Sequence, residues 1–160
     1  MGLQSRGRLS HWLSKTKTGP FVRLAKGIET LDGAKNPQTQ DFIWIDDNSD
    51  NNTTGFQESH SVSGYLYETD DASEMLHGMA WNNAKNDDST LYHVLVRHWL
   101  PDGGSSTTVF DAKLQQVSFA AENEGGGTGG ENVTFSGSLN AKGDPEFGTF
   151  DTATGTFTAA

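Results

Sequence analysis

Residues 110–121 read Phe110-Asp111-Ala112-Lys113-Leu114-Gln115-Gln116-Val117-Ser118-Phe119-Ala120-Ala121, and the alternation within them decides the fold class. Phe110, Ala112 and Leu114 occupy even positions, whereas Val117, Phe119 and Ala121 occupy odd ones, so two strand-like halves are out of phase. A β-bulge or bend near Gln115-Gln116 is expected to return both halves to one core. Upstream, Leu91 to Trp99 is a strand with Tyr92, Val94, Val96 and His98 on one face and Leu91, His93, Leu95, Arg97 and Trp99 on the other. Pro101-Asp102-Gly103-Gly104 predicts the turn between the two. Downstream, the glycine-rich 124–130 segment is a connection, Val133, Phe135 and Leu139 alternate as a further strand, and Phe147, Phe150 and Phe157 sit in short β pieces punctuated by Gly143-Asp144-Pro145 and Gly155.

Toward the N-terminus, Phe21, Val22 and Leu24 suggest a short strand after Gly19-Pro20, and Asn36-Pro37 marks a loop. Phe42-Ile43-Trp44-Ile45 follows, a strand apolar on both faces that needs cover on both, from its own core and from something else such as a second subunit. The polar run from Asp46 to Gly55 predicts a protruding loop. Phe56 to Glu68 returns as a strand, with Val62, Gly64 and Leu66 opposite Ser61, Ser63, Tyr65 and Tyr67. Helical spacing occurs between Asp71 and Trp81, where Ala72, Met75, Leu76, Met79 and Ala80 form one apolar stripe. Asp71 and Glu74 resemble a capping box. The methionines read as core filling. The fold class is mainly β with this one flanking helix.

At 160 residues, with 33% hydrophobic residues and 19 glycines, the chain suits one domain of short strands and many turns. Cysteine is absent, which excludes disulfides, thiolate metal sites and a cysteine nucleophile. No apolar run fits a signal peptide or a membrane span, and Arg6 disfavours myristoylation at Gly2. The formal charge of −10 is uneven: Arg6, Arg8, Lys15, Lys17, Arg23, Lys26 and Lys35 against Glu29 and Asp32 leave residues 1–35 at +5 and the rest at −15. The expectation is a basic N-terminal arm over residues 1–18 ahead of a single β-domain over residues 19–160. Such an arm suits nucleic-acid binding, a solvated terminus, or contact with the acidic face of another copy.

No catalytic constellation emerges. Asp46, Asn48 and Asp50 match the first, third and fifth positions of a calcium loop, but Asn51 and Gln57 replace the required glycine and glutamate. His11, His60, His77, His93 and His98 lack ligand spacing; His93 and His98 fall on opposite faces of a strand and read as surface or interface histidines. Gly125 to Gly130 lacks the lysine and helix of a phosphate loop. No carboxylate pair is singled out for glycoside chemistry.

Three stretches, in order, resemble the tail tube (major tail) proteins of long-tailed siphophages. They are Lys35 to Asp46 with the acidic loop and the strand to Tyr67, the helix Asp71 to Trp81, and the ending from Val117-Ser118-Phe119 through Gly148-Thr149-Phe150-Asp151 to Gly155-Thr156-Phe157. The resemblance implies a β-sandwich or barrel-like tail tube fold with a long protruding hairpin loop. It implies rings of six that stack into a conduit for DNA passing without specific binding, in a virion tail built in the host cytoplasm. Further implied partners are the tape measure protein and the tail terminator and distal tail proteins. Neither enzymatic activity, a cofactor, a metal nor membrane insertion is expected. Inter-subunit contacts are expected at Arg6, Arg8, Trp12, Lys15 and Lys17 of the arm and at Phe42, Trp44, Asp46, Asp47, Asp50 and Phe56 of the hairpin. The alternatives are a calcium- or carbohydrate-binding β-sandwich and, behind it, a carboxylate-based hydrolase; the inner tube of a contractile tail shares the implied fold.

Overall fold

The computed structural model describes residues 2–101 and 108–160. Among them the chain runs β1 (Leu9–Ser14), β2 (Val22–Leu24), β3 (Ile28–Ala34), β4 (Pro37–Ile43), β5 (Ser49–Phe56), β6 (Ser59–Tyr65), α1 (Asp71–Trp81), β7 (Thr90–Pro101), β8 (Val109–Gly126), β9 (Thr134–Ala141), β10 (Glu146–Asp151) and β11 (Thr156–Ala159). Nine strands form one antiparallel sheet in the order β2-β1-β7-β8-β9-β6-β3, with β10 and β11 branching from β8, and β4 with β5 forms a separate two-stranded ribbon. The expected turn at Pro101-Asp102-Gly103-Gly104 lies, past Pro101, outside the described residues.

The main sheet curls into a half-barrel. Its two terminal strands, β2 and β3, are consecutive in the chain and joined through residues 25–27, where Ile28 N–H donates to the Ala25 carbonyl at 3.3 Å. A connection that short forces the sheet's ends toward each other. Gly64 lets this connection lie against β6, since a Cβ there would overlap the Gly27 carbonyl oxygen.

β8 carries the architecture. One edge pairs with β7 from Ser118 back to Asp111, while the other pairs with β10 over Val109 to Leu114 and with β9 from Val117 onward. The neighbour therefore changes at Gln115-Gln116, where a bulge is expected from the sequence. No bulge interrupts the β7 pairing there; the phase slip arises because β8 serves a core on each face. Val117 and Phe119 join Leu13, Leu24, Leu31, Val62, Leu91, Phe135 and Leu139 in the inner core. Ala112 and Leu114 point the other way, into an outer core with Val94, Val96, Phe21 and Phe150. Buried Gln115 stands at the fork, its Nε2 donating to the carbonyls of Gln116, Lys142 and Gly143 at 3.1, 3.2 and 2.9 Å. It thus satisfies peptide oxygens where the chain leaves β9 for β10.

The helix packs Ala72, Leu76 and Met79 into the inner core, as its stripe predicts. Its cap lies one residue earlier than the sequence suggests. Asp70 accepts from Ser73 N–H at 3.0 Å, and Glu74 reaches back to Thr69 N–H at 3.2 Å.

Residues 1–18 do not stand apart as an arm. Leu9–Ser14 is an interior strand between β2 and β7, with Leu13 in the inner core and Trp12 against Phe150 at 4.9 Å in the outer one. The physical reason is alternation within the basic segment: His11 and Leu13 face one core, Trp12 the other. The acidic stretch from Asp46 to Gly55 is likewise not a long loop but a tight turn followed by β5.

Candidate functional site

The ribbon β4–β5 projects from the body. Among the described residues its strands pair only with each other, which leaves both outer backbone edges open. Its tip carries exposed apolar side chains: Ile43 is 80% exposed, Trp44 51% and Ile45 105%, with Phe42 stacked on Trp44 at 5.5 Å and nearly parallel. The reversal is made by Trp44 N–H on the Asn48 carbonyl and Asp47 N–H on the Trp44 carbonyl, both 3.0 Å, with Asp47 at φ 64°. Asp46 accepts from Asn48 twice, from its N–H at 3.1 Å and its side-chain amide at 2.6 Å. Asp46 and Asn48 are therefore spent on the turn and Asp50 sits on β5 opposite Phe42, so the calcium-loop spacing holds a turn instead of converging on an ion.

The root of the ribbon is clamped. Asn36, at φ 46°, donates to the Gln57 carbonyl at 2.9 Å and to Ser59 Oγ at 3.3 Å, and Lys35 and Lys113 both pair with Glu58, Lys113 at 3.1 Å. Burial pushes the Glu58 carboxyl up, but the two ammonium groups outweigh it and hold it below the usual carboxylate range. Lys35 is raised in turn, chiefly by that hydrogen bond. Lys35 also lies over the exposed ring of Phe56, 5.7 Å from its centroid.

About 20 Å away, at the far end of β6, a second apolar patch is exposed. Tyr65 and Tyr67 there are 39 and 42% exposed; Val133, which lies with Leu66 on the other face of the sheet, and Trp81, at the C-terminal end of α1 beside His77, are 46 and 66% exposed. Sequence reasoning missed this patch as a surface. The signal available was Tyr65 and Tyr67 on the face opposite Val62.

The other candidate contact residues divide. Phe42, Trp44, Asp46, Asp47, Asp50 and Phe56 gather on the ribbon. Arg6, by contrast, is bound within the chain, donating to the carbonyls of Leu9 and Leu31 at 2.7 and 3.1 Å and to His11 Nε2 at 3.0 Å. Arg8 bonds Gln4 Oε1 and the His98 carbonyl, Trp12 Nε1 donates to Ser10 Oγ, and Lys17 pairs with Glu146 at 2.6 Å. Lys15 is exposed beside the helix C-terminus.

Two of the five histidines, His11 and His93, are buried instead of lying on the surface, and both touch His60. Because a guanidinium only donates, His11 Nε2 accepts from Arg6, so Nδ1 carries the proton and donates to His93 Nε2 at 2.9 Å. Burial, reinforced by Arg6 and His60, pushes His11 down to about 3. Burial also puts His93 well below its ordinary value and lowers His60.

No family model matches the sequence, and no curated protein does. Solved structures do share the fold. A chain from the tail of an empty gene transfer agent particle, determined by helical refinement with C6 symmetry, superposes with a TM-score of 0.61 at 15% identity, over 91% of this chain and 98% of that one. A chain from the virion of the native particle superposes at 0.54, also 15% identical, over 98% and 100%. The likeness spans both chains nearly end to end and shows a common fold.

Proposed function

We propose that this chain is the repeating structural subunit of a phage-type tail tube, without enzymatic activity. The observation that carries the reading is the near full-length fold shared with a chain of a C6-symmetric tail. In this reading six copies close a ring, rings stack, and DNA passes through the lumen toward the host. Stacking is head to tail: the apolar tip of one copy's ribbon meets the far end of β6, at Tyr65 and Tyr67, on the next. Two different surfaces at opposite ends of one protomer make a heterologous contact, the kind that propagates into a filament. An isolated two-stranded ribbon with open edges is marginal in water, so neighbours complete it. The charge of −15 outside residues 1–35 repels the phosphate backbone, which suits passage of DNA without adhesion. Tape measure, terminator and distal tail proteins are the expected companions at the tube's centre and ends.

Negative-stain electron microscopy of the purified chain over a range of concentrations tests this. Hollow tubes or six-fold rings are the expected result. A chain that stays monomeric at every concentration, with no tubes even on a tail-tip initiator, refutes it.

A further inference from the structure

Beneath the ribbon's root, three imidazoles converge on the inner face of the sheet: His11 from β1, His60 from β6 and His93 from β7. One nitrogen of each lies within 4.8 Å of the others. The rings are 4.9 to 5.8 Å apart, His11 and His93 nearly parallel and His60 edge-on to both. Leucines would fill this end of the core without burying ring nitrogens, which is costly in an apolar setting. The backbone is also shaped around one of the rings. A Cβ at Gly33, the β3 residue directly opposite His60, would stand 2.9 Å from His60 Nε2 and displace it. The cluster opens through His11 and His60 onto a cavity of about 340 Å³ walled by Arg6, Leu31, Glu58, Leu95 and Lys113.

We propose that His11, His60 and His93 form a binding site for one divalent transition-metal ion, with Zn²⁺ the type case and the fourth position open to the cavity. A donor set of imidazoles alone selects zinc, cobalt, nickel or copper over magnesium and calcium. Zinc–nitrogen bonds of about 2.0–2.1 Å in tetrahedral geometry set the nitrogens about 3.3 Å apart. The His11 Nδ1 to His93 Nε2 separation of 2.9 Å needs only slight widening, and His60 a ring rotation. Arg6 is the latch. When the ion takes the lone pair of His11 Nδ1, the single proton of that ring moves to Nε2, where Arg6 can no longer donate. The guanidinium keeps its bonds to the Leu9 and Leu31 carbonyls. No proton is lost from His11 overall, and no redox change occurs.

Calorimetric titration of the tag-free chain with ZnCl₂ is expected to give one ion per chain, with thermal stability rising as zinc is added. Co²⁺ is expected to give the visible absorption of a low-coordinate nitrogen site. His60→Ala, at the half-buried rim, is expected to weaken Zn²⁺ binding on the order of 100-fold, the upper end of the range seen on losing an outer-shell partner. Arg6→Gln is expected to tighten it several-fold. Long-range ¹H–¹⁵N spectra of the wild-type imidazoles read the site without any variant: zinc-induced shifts at His11, His60 and His93 support it. Absence of stoichiometric zinc binding, shifts confined to His77 and His98, or unchanged affinity in a folded His60→Ala chain overturns it.

Discussion

β4–β5 and β10–β11 are both aromatic-bearing two-stranded hairpins, yet Phe150 of the second is 0% exposed while Trp44 at the tip of the first is 51% exposed. The second hairpin pairs through β10 with β8 and lays Phe150 against Trp12 and, edge to face, against Phe21. The first, among the described residues, pairs with nothing beyond itself. Large apolar side chains alone thus do not tell whether the chain buries them; the pairing of the strand's edges does.

Acid is the strongest way to set body against ribbon. Unfolded histidines protonate near 6.5, whereas His11 in the fold waits until about 3 and His60 and His93 are also lowered. The unfolded state therefore binds more protons throughout that window, and stability falls as pH drops from 6.5 toward 3, by at most about 1.4 kcal/mol per pH unit per histidine. Urea midpoints at stepped pH should fall accordingly, equally in a chain whose ribbon is shortened; a flat profile contradicts the buried cluster. Phe150→Ala comes next, costing roughly 3–5 kcal/mol by denaturant unfolding because it empties the outer core. Gly148→Ala should cost roughly 1–3 kcal/mol, since its Cβ would overlap the Thr158 carbonyl oxygen across β10–β11. Least of all, Trp44→Ser with Ile45→Ser should move monomer stability by no more than about 0.5 kcal/mol. The same pair should abolish tubes in electron micrographs. If the doubly substituted chain still polymerises, the ribbon tip is not the stacking contact.

What was legible in the sequence follows from how locally each signal is written. The helix and its stripe were, because 3.6-residue spacing places Ala72, Leu76 and Met79 on one face without reference to the rest of the chain. The phase slip in β8 was visible but misread, because one strand feeding two cores produces the same pattern as a bulge feeding one. β5 left no trace, since a ribbon wet on both faces has no reason to alternate. Three histidines on strands separated by 49 and 33 residues carry no spacing at all; the β1–β7 pairing sets His11 near His93, and the curl of the sheet brings β6 with His60 across to them. The large side chains of Phe42 to Ile45 were plain in the sequence, but the expected strand ends at Ile43; Trp44 and Ile45 lie in the turn, and the chain's own core covers none of Ile43, Trp44 or Ile45.

The interior position of β1 has a consequence during synthesis. Its partner β7 lies about eighty residues later, a delay of roughly 4–16 s at the ordinary ~5–20 residues per second of translation. Until then Leu9, Trp12 and Leu13 wait on the nascent chain with only the three-residue β2 to pair with and the other edge of the apolar strand open, the kind of edge that aggregates. Arg6, Arg8, Lys15 and Lys17 bracket it, and flanking charges of one sign keep such segments apart. The basic segment, incorporated into the sheet once folding is complete, would have served first as a chaperone for its own strand.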